Sequence, residues 1–220
     1  MTIDSMTEIV EDIQSIYTIV LALAIAEAFN QAIKENKPHE EKHATTLVSW
    51  FECVHPSRFV SLIVFLMLAA PFFQGNQKYL YLQYIEPLHL AHPPKSISAA
   101  WLNFDCLTFT VEAGLFFVMA RSLSARRWQQ FYATVILLLA IDFIWALMER
   151  GHGAAVPGEW LWFDIIAVII LAVIIVVDWF FIPYDREKEL NRYCYWGVSI
   201  MAILGLIFGY FCQLDYLIDY

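Results

Sequence analysis

The chain has 220 residues, of which 60% are hydrophobic and 16% charged, and its formal net charge is −9. Soluble domains run near 45–50% apolar and about 25% charged, so this composition, with a mean hydropathy of +0.58, excludes both a soluble globular domain and a disordered chain. The 13 basic residues form no block of the kind that binds nucleic acid, and the reading that remains is an all-α polytopic membrane protein, one transmembrane domain over residues 1–220.

A bilayer core of about 30 Å takes roughly 20 helical residues, and six segments have that length and character. The first covers Ile13–Ile33, launched by Ser5-Met-Thr-Glu8 with capping-box spacing. The second has its apolar heart at Phe59–Phe73 and extends back toward Leu47, with a kink expected at His55-Pro56. The third is Trp101–Ala120, the fourth Trp128–Met148, the fifth Trp160–Ile182 and the sixth Tyr195–Leu214. Breakers separate them at Lys37-Pro38, Gln74-Gly-Asn76, Pro93-Pro94, Gly151-His-Gly153, Pro157-Gly158 and Pro183. The acidic start (Asp4, Glu8, Glu11, Asp12) lacks the positive charge of a cleavable signal, so none is expected.

Lysine and arginine set the expected orientation. Loops after spans one, three and five carry Lys34, Lys37, Lys42, Arg58, Arg121, Arg126, Arg127, Arg186, Lys188 and Arg192; the opposite side carries Lys78, Lys95 and Arg150. Ten against three places both termini outside the cytoplasm. Tryptophans near span ends (Trp50, Trp101, Trp128, Trp145, Trp160, Trp162, Trp179, Trp196) fit an interfacial belt. The connector Tyr79–Ile85 is expected to lie along the outer interface.

Six acids fall within spans, namely Glu27, Asp105, Glu112, Asp142, Asp164 and Asp178, and no basic residue falls there by the same boundaries. An ionisable group at membrane depth costs at least a few kcal/mol and normally faces protein or water. Glu27, Asp164 and Asp178 sit near span ends, where an interface solvates them; Asp164 and Asp178 are secondary pathway candidates. Asp105 and Glu112 lie two turns apart on one helical face with Thr108 between them, and Asp142 is expected at the depth of Asp105. Grouped carboxylates in a low dielectric cannot all ionise, so one should hold a proton or share a cation. Asp105, Thr108, Glu112 and Asp142 are therefore the candidate ion pathway. Hydrogen-bonded packing between helices is the competing reading.

Three further signals have bland readings. His39-Glu40-Glu41-Lys42-His43 matches H-E-x-x-H but lies in a charged connector after Pro38, where a solvated loop is expected. Glu86, His89 and His92 could face a metal, yet interfacial histidines need no ligand. The four cysteines read as small apolar fillers without Cys-x-x-Cys pairing, so neither metal nor cofactor is expected. Gly205 and Gly209 form a G-x-x-x-G that allows close approach of helices, within the chain or between subunits.

Phe104-Asp105, Glu112 with Phe116-Phe117, and Asp142 with Trp145 give the chain a spacing that resembles small polytopic membrane subunits of prokaryotic anti-phage defence operons. The resemblance implies a membrane effector or anchor that changes permeability when a cytoplasmic partner signals. From the residues alone, a homo-oligomeric channel or pore with a hydrated path for cations or protons leads, because six spans in 25.5 kDa leave little room for a wide single-chain conduit. The alternative is an anchor that docks a soluble protein through basic loops such as Arg121, Arg126 and Arg127. A secondary transporter comes third, lacking visible repeats or broken spans. An enzyme comes last, lacking a nucleophile–base pair.

Overall fold

The computed structural model describes residues 3–34, 56–89, 98–123, 127–152, 158–181 and seven positions between 199 and 207. Secondary structure among the described residues is wholly helical. The helices are α1 (Ile3–Lys34), α2 (Pro56–Leu80), α3 (Ala99–Arg121), α4 (Trp128–Gly151) and α5 (Gly158–Phe181). Four stretches are long and apolar enough to cross a bilayer: Thr7–Ile33, Arg58–Ile85, Ala99–Arg121 and Trp128–Gly151. α5 carries a shorter apolar run, Asp164–Val173. Thirteen of the twenty residues of the sixth expected span lie outside the described residues, Gly205 and Gly209 among them, as do Arg126, the His39–His43 motif, Cys53, Cys194 and Cys212.

α1 is 32 residues long, about 48 Å at 1.5 Å per residue, so it begins ten residues before the apolar segment that marks it in the sequence. Its buried positions, Val10, Ile13, Tyr17, Leu21, Ala24, Ala28 and Ala32, recur every three or four residues and form one stripe. The alanines at its C-terminal half let a neighbour approach closely, and α3 is the helix packed most extensively against α1. α3 answers with Phe109, Ala113, Phe116 and Ala120, all buried. The lipid-length face of α1 (Ile16, Ile19, Leu23) is exposed. Glu27 is held by its own helix, accepting from Gln31 at 2.7 Å and Asn30 at 3.3 Å.

α2 departs most from the sequence expectation. Pro56 opens it, where a missing N–H costs nothing, and the segment before it lies outside the described residues. The helix then runs straight through Gln74-Gly-Asn76, the expected breaker, to Leu80 and continues as a wide π turn over Tyr81–Ile85 and a 3₁₀ turn over Glu86–His89. Glycine inside a helix costs only about 1 kcal/mol; buried Leu68, Phe72, Tyr79 and Leu80 keep the chain helical. Two rings of α2 clasp α3 directly: Phe65 and Phe72 stack edge-on to Phe116 at 5.9 and 5.6 Å. Lys78 and Arg58 thus fall inside a candidate span, correcting the absence of basic residues read from sequence. Arg58 is buried and donates to the Gln31 carbonyl at 3.1 Å, satisfying the C-terminal end of α1.

α3 and α4 are antiparallel, joined across Ser122–Arg127, and α4 packs on α5. At the end of α3, Ser122 donates through its backbone N–H to Met119 at 2.9 Å and through its hydroxyl to Val118 at 3.0 Å. Tyr132 of α4 is buried and bonds Ser199 at 3.0 Å, tying α4 to the C-terminal segment.

Candidate functional site

The interior polar residues of the bundle form two layers. The first lies toward the end where α2 stops and α3 starts. Asp105, fully buried, is the centre of it: Trp145 Nε1 of α4 donates to Oδ1 at 2.7 Å, and Tyr84 donates to Oδ2 at 2.5 Å. The π turn matters here, because five residues of ordinary α-helix would rotate Tyr84 about 140° away from Tyr79. With the wider turn both phenols reach the same carboxyl group. Tyr79 Oη donates to Glu149 Oε2 of α4 at 2.5 Å and stands 3.3 Å from Asp105 Oδ2. Rings seal the layer: Tyr79 and Phe109 meet Trp145 edge-on at 4.7 and 5.4 Å.

The second layer lies deeper, near the middle of α3. Glu112 is fully buried and accepts from Asn76 Nδ2 at 2.9 Å through Oε2. The charged groups that act on it are Asp142 and, more weakly, Asp105. Asp164 of α5, also fully buried, faces Asp142 and then Glu112. Tyr17 of α1 completes the layer beside Asn76, Glu112 and Asp142. Several polar atoms here make no well-formed hydrogen bond: Glu112 Oε1, Tyr17 Oη and both oxygens of Asp164; in the first layer, Glu149 Oε1 stands in the same state. Asp164 nonetheless stands close to Asp142, side chain to side chain. Buried polar atoms are otherwise almost always paired, so four such atoms in one layer mark a place built for something besides packing.

Three sequence expectations change. Asp142 does not share the depth of Asp105; Trp145 occupies that level, and Asp142 lies three residues, about 4.5 Å, further in, beside Glu112. Asp164, read as a boundary residue, is a member of the deep layer. Tyr79–Ile85 does not lie along the interface: Tyr79 and Tyr84 are buried, because their hydroxyls serve Asp105 and Glu149. Glu149, in the last turn of α4, is 2% exposed. Thr108 is buried on the expected face of α3. Asp178 lies within α5, its side chain outside the described residues. Arg121 and Arg127 are exposed at the opposite end of α3 and α4.

Tyr79, Tyr84, Asn76, Trp145 and Glu149 are the partners that the sequence reading missed. Their signal is present. Phe65, Leu68, Phe72, Asn76 and Tyr79 continue one stripe of helical spacing across the glycine, and Asp142, Trp145 and Glu149 do the same on α4.

No three of the described His, Cys, Asp and Glu residues converge as ligands of one metal ion. Comparison with protein-family models, with curated proteins and with solved structures finds no match to this chain.

Proposed function

We propose that the chain is an integral membrane protein of channel type, which conducts a small cation along the carboxylates inside its helix bundle. One observation carries this reading. Glu112, Asp142 and Asp164 are packed together at 0–2% exposure, the charged neighbours of Glu112 and Asp164 are acidic, and Glu112 and Asp164 keep unpartnered oxygens. Packing alone would favour one donor for each acceptor, since a half-satisfied polar network is worse than an apolar core. A positive species passing through supplies the missing partner.

The burial of these carboxylates favours a path within one subunit over a lumen between subunits. Self-association then stands as a separate proposal, resting on the small-residue face at Gly205 and Gly209. With Arg58 and Lys78 set within α2, the remaining basic residues still divide nine against two, which supports both termini outside the cytoplasm; the resemblance supplies the inner-membrane location. The resemblance drawn from Phe104-Asp105 and Glu112 supplies a setting, an effector that dissipates an ion gradient on a signal from a cytoplasmic partner. Exposed Arg121 and Arg127 favour a docking role for that end of the bundle.

Purified protein in liposomes tests the reading. Wild type should pass current or ion flux, and Glu112→Gln, which keeps the shape and the Asn76 contact, should lower it strongly at unchanged yield and thermal stability. Unchanged flux in Asp105→Asn/Glu112→Gln/Asp142→Asn overturns the conduction reading.

A further inference from the structure

Tyr79 has one hydroxyl proton and two carboxyl neighbours. Its Oη donates to Glu149 Oε2 at 2.5 Å while standing 3.3 Å from Asp105 Oδ2, where Tyr84 already donates. Asp105 already has its own donors in Tyr84 and Trp145, so packing does not require Tyr79 there. Its O–H nevertheless lies within reach of both carboxyls, and the chain Glu149–Tyr79–Asp105 has two hydrogen-bonded arrangements that differ in where the proton sits. A phenol between two carboxyls can also accept a proton from one side as it gives its own to the other.

We propose that Glu149, Tyr79 and Asp105 form a proton relay that feeds the deep carboxylate layer, so that the ion this protein conducts is the proton. The inference rests on the conduction reading and names its ion. Glu149 lies in the last turn of α4, next to the exposed Arg150, Gly151 and His152, and its buried, unpartnered Oε1 is the entry atom. The transfer balances. The Glu149 O–H bond breaks as its proton forms a new bond to Tyr79 Oη; the original Tyr79 O–H bond breaks and its proton forms an O–H bond to Asp105 Oδ2. Tyr79 ends neutral, Glu149 ends as carboxylate and Asp105 as the acid, so one positive charge has moved inward.

Tyr84 and Trp145 hold Asp105 in place for this step by donating to its two oxygens. They are positioning residues. The next acceptors are Glu112 Oε1 and the oxygens of Asp164, about 10 Å further along α3 by helical rise, a distance that water bonded to those unpartnered atoms and to Tyr17 Oη would bridge. The groups that face the relay are Tyr84 from the end of α2, Trp145 from α4 and Phe109 from α3. Lys78 precedes Tyr79 in the last turn of α2. A metal cation would need several oxygens converging on one point, and no such set of His, Cys, Asp and Glu occurs among the described residues; a proton needs only successive hydrogen-bonded atoms.

The experiment uses the full chain in liposomes loaded with a pH dye, with a potassium diffusion potential as the driving force and a parallel rubidium or sodium uptake assay. Wild type should acidify or alkalinise the lumen according to the sign of the potential and should pass no rubidium or sodium. Tyr79→Phe should slow the proton flux by at least about a hundredfold, the lower range for a positioned proton-transfer group. Should Tyr79→Phe fail to fold, Glu149→Gln serves: its amide oxygen still accepts from Tyr79, but its amide cannot deliver the proton, and flux should fall equally. Proton flux unchanged in a folded Tyr79→Phe or Glu149→Gln overturns the relay. Rubidium or sodium flux without proton flux also overturns it while leaving cation conduction standing. Absence of all ion movement overturns both.

Discussion

Removing the Tyr84 hydroxyl tests the packing logic of the first layer directly. Tyr84→Phe keeps the ring, 1% exposed, and deletes only the donor that stands 2.5 Å from Asp105 Oδ2. Two magnitudes compete. A buried hydrogen bond to an ionisable group is worth about 1.5–3 kcal/mol in water-soluble proteins, whereas cycles within membrane bundles average about 0.6 and reach about 1.7, because the unfolded chain in lipid also finds partners. The sealed site, with Asp105 at 0% exposure, belongs at the upper end of the membrane range. After the change, Oδ2 keeps only the 3.3 Å approach of Tyr79. We expect a loss of about 1–1.7 kcal/mol, roughly five- to eighteenfold in the unfolding equilibrium. Equilibrium unfolding in mixed micelles measures it, in wild type and in Asp105→Leu. In the leucine background the hydroxyl has lost its acceptor, so Tyr84→Phe should be neutral or stabilising. An equal cost in both backgrounds refutes the assigned bond.

Gly75→Ala should raise stability by about 0.5–1 kcal/mol, because a Cβ there meets nothing within 4 Å and the residue lies inside a helix; a loss on thermal unfolding would restore the turn at Gln74-Gly-Asn76. Cysteine introduced at Ile3 in a Cys-free chain should react with an impermeant thiol reagent on intact cells, whereas cysteine at Ala125 should not, as the basic-residue distribution requires. The reverse pattern overturns the orientation.

The helical class, the starts of α3 and α4 and the shared face of Asp105 and Glu112 were legible from hydropathy and the 100° period. Helix α1 was under-read at its start, because Asp4, Glu8, Glu11 and Asp12 depress the apolar signal where the helix continues past the bilayer core. The pairing of Asp142 was misjudged for a different reason. Counting residues inward from span ends assumes that α3 and α4 end level; the contact of Asp105 with Trp145 shows a stagger of about one turn.

The larger miss has a physical cause that reaches past this chain. Gly75, Asn76, Lys78, Tyr79, Gln83 and Tyr84 make the end of α2 look like a loop, because turn residues and lost hydropathy are the signature of a segment leaving the membrane. Here the same polarity has the opposite origin. Asn76 donates to Glu112, Tyr79 to Glu149 and Tyr84 to Asp105, so acids placed inside the bundle by α3 and α4 demand donors at the same depth on α2. A helix that supplies those donors must be polar where it is buried, and a hydropathy window charges that polarity against it. The acids and their apparent loop are thus one signal: unpaired carboxylates in one span call for phenols, indoles and amides in a neighbour, and the polar stretch beside an otherwise complete apolar segment is where such donors stand.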